Sequence, residues 1–374
     1  MSHYAVTNPA TGEVEETFAT YSDEQVETAL DGAQIAFEQW GRTSSKAERS
    51  ALLRRVADLY EERKEELADI IHHEMGKLPE ECLAEVEFSG AIYRYYADNG
   101  EFFLEDAPIQ REAEGSAVIR KLPIGPLFMP WNYPYYQVAR FAAPNLMLGN
   151  TILLKHASLC PKSSAAMERI FLDAGFPNGA FTNLYITNEQ SAAVIADHRV
   201  RGVSLTGSER AGVAIASEAG AALKKVVCEL GGSDPFILLS TDDMDATVAA
   251  AIGGRYENCG QICNGAKRFI VVDSLYDEFL SRFAKASEKL ELAPLCSKAA
   301  AEHLAEQVRE AVESGATLAL GDGVNDGAYF RPAILTDIPE ESPARYEEFF
   351  GPVAQFYRVK DETEAVKVAN DTVY

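Results

Sequence analysis

From residue 134 onwards, short apolar runs alternate with stretches of helical period, and no other feature restricts the fold as strongly. TILLK (151–155) reads as a buried strand and 162–174 as a helix. AFTNLYI (180–186) is a strand, 188–197 a helix and GVSLT (202–206) a strand. A helix over 208–222 and a strand over KKVVCEL (224–230) complete this series. Apolar strands separated by helices build a mostly parallel sheet covered on both faces. Such a sheet collects its ligands at the carboxyl ends of its strands.

A second series follows. PFILL (235–239) reads as a strand, 243–258 as a helix and RFIVV (268–272) as a strand. Helices over 275–290 and 298–314 precede strands at TLAL (317–320) and VAQFYRV (353–359). The spacing predicts two α/β domains divided near Gly231-Gly232. Ahead of both, 23–39, 45–76 and 79–104 carry helical period, with Leu52, Leu53, Val56, Leu59 and Tyr60 on one face. Ser44 or Ser45 is placed to cap the second of these. In SAVIRKLPIGPLFMP (116–130) the period changes, and two β-prone runs flank Pro123-Ile-Gly125. That pattern suggests strands that bend or cross between elements. The chain shows no internal repeat and no low-complexity tract.

Charge narrows the partners. The 374 residues carry 58 acidic and 34 basic side chains, a net charge of −24. Nucleic acid and anionic membrane both require a basic face, so neither is expected as a partner. No stretch reaches the apolar length of a membrane span. The first residues, MSHYAVTNPATGEVEETF, are polar and lack a signal-peptide core. The cytoplasm is therefore the expected compartment, and there the six cysteines should be reduced.

Two of those cysteines lie four residues apart in YENCGQICNGAKR (256–268). They could form a metal clip or a disulfide, pack as fillers, or include a reactive thiol. A zinc site needs a second ligand pair, and no histidine lies near this segment, so no metal is expected.

Four stretches set polar residues or glycines where strands end: PWNYP (130–134), LTGSERAG (205–212), CELGGSDP (228–235) and NCGQICNG (258–265). Gly207-Ser208 precede a helix, a natural seat for a phosphate. Each stretch also has an ordinary structural explanation. Asn132 and Ser208 could be helix caps, Glu229 a surface carboxylate, and Cys259 and Cys263 core thiols.

Taken together, PWNYP, LLKHAS, LTGS, CELGG, GQIC and EEFFGP resemble the motifs of the NAD(P)-dependent aldehyde dehydrogenase superfamily, in the family order. The interval from Glu229 to Cys263 is the one that family keeps. LLKHA, ELGGSDPFI and NGAKRFI look most like succinate-semialdehyde dehydrogenases of the bacterial type. The resemblance runs from about residue 6 to the last residue. It implies a Rossmann-type cofactor domain over 1–115 and 128–230, and a bridging, oligomerising β-arm over 116–127. The second α/β domain, catalytic, covers 231–374 and reads as truncated at NDTVY, where relatives run on. A homodimer or homotetramer is implied if such a tail is present.

The implied chemistry is consistent with the residue types. A thiolate is strongly nucleophilic and later a good leaving group. By resemblance, Cys263 attacks the aldehyde carbon, and Asn132 with the Cys263 N–H stabilises the oxyanion. Hydride transfer leaves a thioester, which water activated by Glu229 hydrolyses. Trp131, Lys155, Gly207, Ser208, Glu348 and Phe350 fall at cofactor positions of the family. Ser158 stands where many members carry a glutamate that repels a 2′-phosphate, so NADP is expected over NAD, with NAD possible. The glycine-rich GDGVNDG (321–327) has the wrong spacing for a phosphate loop and reads as a turn.

Asn132, Tyr136 and Arg140 stand at i, i+4 and i+8, the spacing of one helical face. Arg140 could be a surface or interdomain ion-pair residue. The resemblance implies instead that Arg140, with Tyr136, binds the distal carboxylate of a semialdehyde. Two other functions fit the sequence: oxidation of another aliphatic or aromatic aldehyde, which Tyr133, Tyr135 and Tyr136 would suit, and a catalytically impaired relative. Two departures bear on them: a shortened interval between Cys263 and Glu348, near ELAPLC (291–296), and the absence of the family's tail.

Overall fold

A computed structural model describes residues 4–109, 117–119, 127–128 and 130–374, with only the backbone at 107–109, 117–119 and 127–128. The chain divides into two compact units. The first comprises Met1–Thr7, Val14–Glu74 and Cys82–Leu230; the second comprises Asn8–Glu13, Met75–Glu81 and Gly231–Tyr374. The short segments 8–13 and 75–81 thus group with the second unit, which sequence patterning does not show.

The first unit is built on five parallel strands in the order Phe181–Asn183, Ile152–Lys155, Leu127–Phe128, Gly202–Thr206, Lys225–Glu229. In chain order this is 3-2-1-4-5, the winding of a dinucleotide-binding sheet. The direction reverses between Leu127–Phe128 and Gly202–Thr206, where Phe128 pairs with Lys155 on one side and with Leu205 on the other. Leu127 therefore belongs to this sheet and not to a bridging arm. Of the expected arm, Ala117–Ile119 pairs antiparallel with Ala107–Ile109 as a separate ribbon. Residues 116 and 120–126 lie outside the described residues.

Local signals set the helix starts. Ser22 with Gln25, Ser45 with Glu48 and Thr187 with Gln190 form capping boxes. The helical run expected over 45–76 is two helices, Lys46–Glu62 and Lys64–Met75, parted at Arg63, whose φ of −117° and ψ of 17° leave the helical region. The helix expected to 39 gives way at Phe37–Gly41 to a wider π turn.

In the second unit the strand order is Asp234–Leu238, Ala266–Val272, Val353–Val359, Ala333–Thr336, Thr317–Leu320. The first four are parallel and the last is antiparallel to its neighbour. Alternate residues feed two cores. Phe269, Val271, Ile334, Ala354 and Phe356 enter one, and Ile270, Ala333, Leu335, Val353 and Val359 enter the other. This is the period of two expected of a sheet buried on both faces. Phe269 lies 5.0 Å from Phe356 and 4.9 Å from Phe283, ring centre to ring centre. Its truncation to alanine would cost about 3–5 kcal/mol. That stability underlies strand 266–272, which follows the loop of Cys263.

Candidate active site

In the first unit the chemistry gathers at the carboxyl ends of the strands. Ile152–Lys155 ends in Lys155, Gly202–Thr206 runs into Gly207 and Ser208, and Lys225–Glu229 ends in Glu229. Ser208 caps the helix Glu209–Ala221, its side chain accepting the Ala211 N–H. Capping occupies the hydroxyl and leaves the helix start directed at the switch point. A dinucleotide fits here. Gly207 is half-buried, and a side chain added to it would meet nothing nearer than 3.7 Å. The Lys155 ammonium lies 5.9 Å from the Tyr4 ring centre, and burial lowers its pKa. The Gly207 N–H donates to the Glu229 carbonyl at 3.0 Å, which ties the two strand ends to each other.

The PWNYP loop sits beside them. Asn132 is buried. It does not share a helical face with Tyr136 and Arg140, because the helix begins only at Tyr136 and runs to Leu148. Two features fix that start. Pro134 disfavours helical backbone at Tyr133. The buried Glu85 carboxylate accepts the N–H groups of Tyr135 at 2.9 Å and Tyr136 at 3.2 Å, taking up free donors of the first turn. His156 ties the loop to the end of strand Ile152–Lys155. Its Nδ1 accepts the Ala157 N–H at 2.9 Å, which leaves Nε2–H to donate to the Pro134 carbonyl at 3.1 Å. Burial holds this imidazole neutral and lowers its pKa to about 4.

Tyr136 and Arg140 do share a face, with the guanidinium 5.7 Å from the ring centre. Both line a cavity of about 510 Å³ with Phe88, Ile92, Tyr95 and Tyr96. Arg140 Nη2 donates to Thr206 Oγ1 at 3.2 Å and stands 3.7 Å from Glu229 Oε2.

The second unit places its loops at the amino ends of its strands. Cys263 precedes Ala266–Val272, while Glu348 and Phe350 precede Val353–Val359. The loop that carries Cys263 is held by its own backbone. Asn258, Cys259 and Gly260 carry φ of 50°, 53° and 74°. Left-handed backbone is costly for the first two and free for glycine. The loop is clamped in return. The Asn258 N–H donates to Glu81 Oε1 at 2.8 Å, Asn258 and Gln261 exchange side-chain bonds, and Gln261 Oε1 accepts the Cys296 N–H at 2.9 Å. Buried Arg255 bridges the carbonyls of Gly260 at 2.7 Å and Gly351 at 2.5 Å. A Cβ at Gly260 would strike both Arg255 and Gly351.

The two cysteines of this loop differ in kind. Cys259 is 2% exposed, sits in the apolar core, and burial pushes its thiol up to about 12. Cys263 is half-buried. Beside it, Lys267 is 1% exposed and donates to the carbonyls of Ile262 and Cys263, both at 2.7 Å. Its third partner is Glu348 Oε1 at 3.0 Å. The Gly232 N–H reaches the same oxygen at 3.3 Å, and a Cβ at Gly231 would collide with the Glu348 carboxylate.

Trp131, Asn132, Tyr136, Arg140, Lys155, Ser158, Gly207, Ser208 and Glu229 thus belong to the first unit, and Cys263, Glu348 and Phe350 to the second. Sequence patterning passes over Thr206, His156, Arg255 and Lys267. Lys267 carried a usable signal: a cation in the apolar strand AKRFIVV must either face solvent or be paired.

A 3-2-1-4-5 parallel sheet with a glycine-serine helix start at its switch point defines a dinucleotide-binding unit. Residues 1–374 match the aldehyde dehydrogenase family, and the chain belongs to that family. It is 47% identical to the NADP+ succinate-semialdehyde dehydrogenase of Deinococcus radiodurans, over 99% of this chain and 80% of that protein. It is 41% identical to a probable NADP+ succinate-semialdehyde dehydrogenase of a Synechocystis species, over 98% of this chain and 84% of that protein. The crystal structure of succinic semialdehyde dehydrogenase from Streptococcus pyogenes in complex with NADP+ superimposes with a TM-score of 0.95 at 39% identity. That match covers 99% of this chain and 84% of the other. Among the described residues, no helix is long and apolar enough to cross a membrane.

Proposed function

We propose that this enzyme oxidises succinate semialdehyde to succinate with NADP. The observation that carries the substrate is Arg140, a guanidinium lining an aromatic cavity beside Glu229. Its five donors can take a distal carboxylate in bidentate fashion while the Thr206 contact persists. The names of the relatives point to the same acid and the same cofactor.

We assign Cys263 as nucleophile: its thiolate forms a C–S bond to the aldehyde carbon, and the carbonyl electron pair becomes an oxyanion. Asn132 and the Cys263 N–H donate hydrogen bonds to that oxygen. The bound dinucleotide supplies the hydride acceptor. Glu229 then takes a proton from water, whose oxygen attacks the resulting thioester, and the thiolate leaves. Lys155, Ser158, Gly207, Ser208 and Trp131 hold the adenosine and phosphate end, and Glu348 and Phe350 the nicotinamide end. The cytoplasm is the matching compartment, and a homodimer or homotetramer the matching assembly where the family's tail is present.

Steady-state turnover of succinate semialdehyde and of butanal, each with NADP and NAD, tests this. Preference for the acid with NADP is expected. Equal kcat/KM for the two aldehydes would remove the semialdehyde assignment, and no turnover of either would favour an impaired relative. In Glu229→Gln, rapid mixing should show a burst of reduced cofactor without sustained turnover.

A further inference from the structure

Lys267 has no place in the chemistry above, yet it is among the largest fully buried side chains of the chain. An ammonium carries three protons and accepts none. Here it meets three acceptors: the Ile262 carbonyl, the Cys263 carbonyl and Glu348 Oε1. Two belong to the nucleophile loop, and the third belongs to the carboxylate placed at the nicotinamide ribose. Burying a cation is costly, and a lysine that only filled space would be replaced by an apolar side chain without loss. Its position is enforced from several directions. Strand 266–272 fixes its backbone between Asp234–Leu238 and Val353–Val359. Gln307, on the helix Lys298–Glu313, donates to the Glu348 carbonyl at 3.2 Å and holds that loop against it.

We propose that Lys267 is a positioning residue that couples the Cys263 loop to the Glu348 carboxylate, so that the state of the ribose site sets the reactivity of the thiol. This rests on the assignment of Cys263 and Glu348 above. When Glu348 turns to a ribose hydroxyl, the ammonium loses part of its counter-charge and acts more strongly on the Cys263 peptide and its thiolate. When Glu348 stays on Lys267, the charge is neutralised and the thiol is quieter. The other charges facing this group are Arg255, from helix Met244–Tyr256, and the Cys263 thiolate itself. Arg255 is tied to the carbonyls of Gly260 and Gly351 and is unchanged by the test.

The test is the rate of iodoacetamide alkylation of Cys263 at pH 8, located by peptide mapping, with and without NADP. The wild-type enzyme should be alkylated faster when NADP is bound. Lys267→Met should slow alkylation by about tenfold, as loss of a nearby cation does, and should abolish the response to NADP. Glu348→Gln leaves the ammonium without its counter-charge and should speed alkylation, the opposite direction. Lys267→Arg keeps the charge and should keep the rate. A general packing defect does not give opposite changes at two contacting residues. If Lys267→Met is too unstable to study, the faster alkylation of Glu348→Gln still decides. Unchanged rates in both variants, with Cys263 alkylated in each, would overturn the coupling. Labelling of another cysteine in the wild-type enzyme, with turnover retained by Cys263→Ala, would instead overturn the assignment of Cys263.

Discussion

The Arg140 guanidinium stands 3.7 Å from the Glu229 carboxylate, at the end of the sheet where both the switch point and the aromatic cavity lie. The cation assigned to the substrate therefore neighbours the carboxylate assigned to water. Glu229's side chain is 56% exposed, so the pair is screened and worth at most about 1 kcal/mol. A substrate carboxylate can compete for Arg140 without breaking a strong bond, and Glu229 keeps the freedom a general base needs.

Arg140→Ala follows from this geometry. Losing a charge-assisted, bidentate contact of about 1.5–3 kcal/mol should raise KM for succinate semialdehyde by roughly 10- to 100-fold. KM for butanal, which has no carboxylate, should stay within about twofold. Steady-state kinetics with both aldehydes reads the difference, and an equal loss on both would point to a damaged fold.

The two cysteines of the 256–268 loop predict a clean contrast. Cys263→Ala should lose aldehyde oxidation and keep cofactor binding. Cys259→Ala should keep most activity and lose about 1 kcal/mol of stability, as a typical core truncation does. Iodoacetamide at pH 8 should label Cys263 and spare Cys259, whose thiol is buried and held up to about 12. A dead Cys259→Ala enzyme that still folds would reverse the assignment.

These residues also show what a sequence can reveal. The strand Ala266–Val272 is visible over 268–272 in its apolar run, and helices such as Lys298–Glu313 in a long and regular apolar period. Ala333–Thr336 is not, because four buried residues between turns carry no period. The hairpin of Tyr4–Thr7 and Val14–Phe18 is missed for a related reason: its second strand is largely exposed. Asn132 stands out in the sequence through its motif, but not as lying outside the helix. That depends on Glu85, some fifty positions earlier, capping the first turn. The charge of Lys267 in an apolar strand was a visible signal, but its pairing was hidden because its partners converge only in the folded unit. Charge on a strand reads as a solvated face until the acceptors are seen.

Cofactor choice should respond to Ser158. Its carbonyl accepts the Ala5 N–H at 3.2 Å, which fixes the backbone, and its side chain is half-buried. A carboxylate there repels a 2′-phosphate and accepts a 2′-hydroxyl. Ser158→Glu should lower the NADP/NAD ratio of kcat/KM by about 10- to 100-fold, or roughly 1.4–2.8 kcal/mol. An unchanged ratio would remove Ser158 as the selector.

His156 gives the enzyme an acid-sensitive link between the end of strand Ile152–Lys155 and the PWNYP loop. Its folded pKa, about 4, lies below the ordinary value of 6.5 because burial disfavours the charged ring. Between those values the unfolded chain binds the proton and the folded chain does not. Stability is thus fully present above about pH 6.5 and is lost as pH falls towards 4. Glu74 opposes this trend. Burial raises its pKa to about 8, so its effect favours the folded state at lower pH. A comparison of wild type with His156→Gln cancels the Glu74 effect, since both proteins carry it. His156→Gln removes the titrating ring, and its stability deficit relative to wild type should be largest at pH 7. By pH 5 the gap should have narrowed by about 2 kcal/mol. Urea unfolding at the two pH values measures it. A gap that stays constant would mean that His156 is protonated in the folded enzyme and that its bond to the Pro134 carbonyl survives in acid.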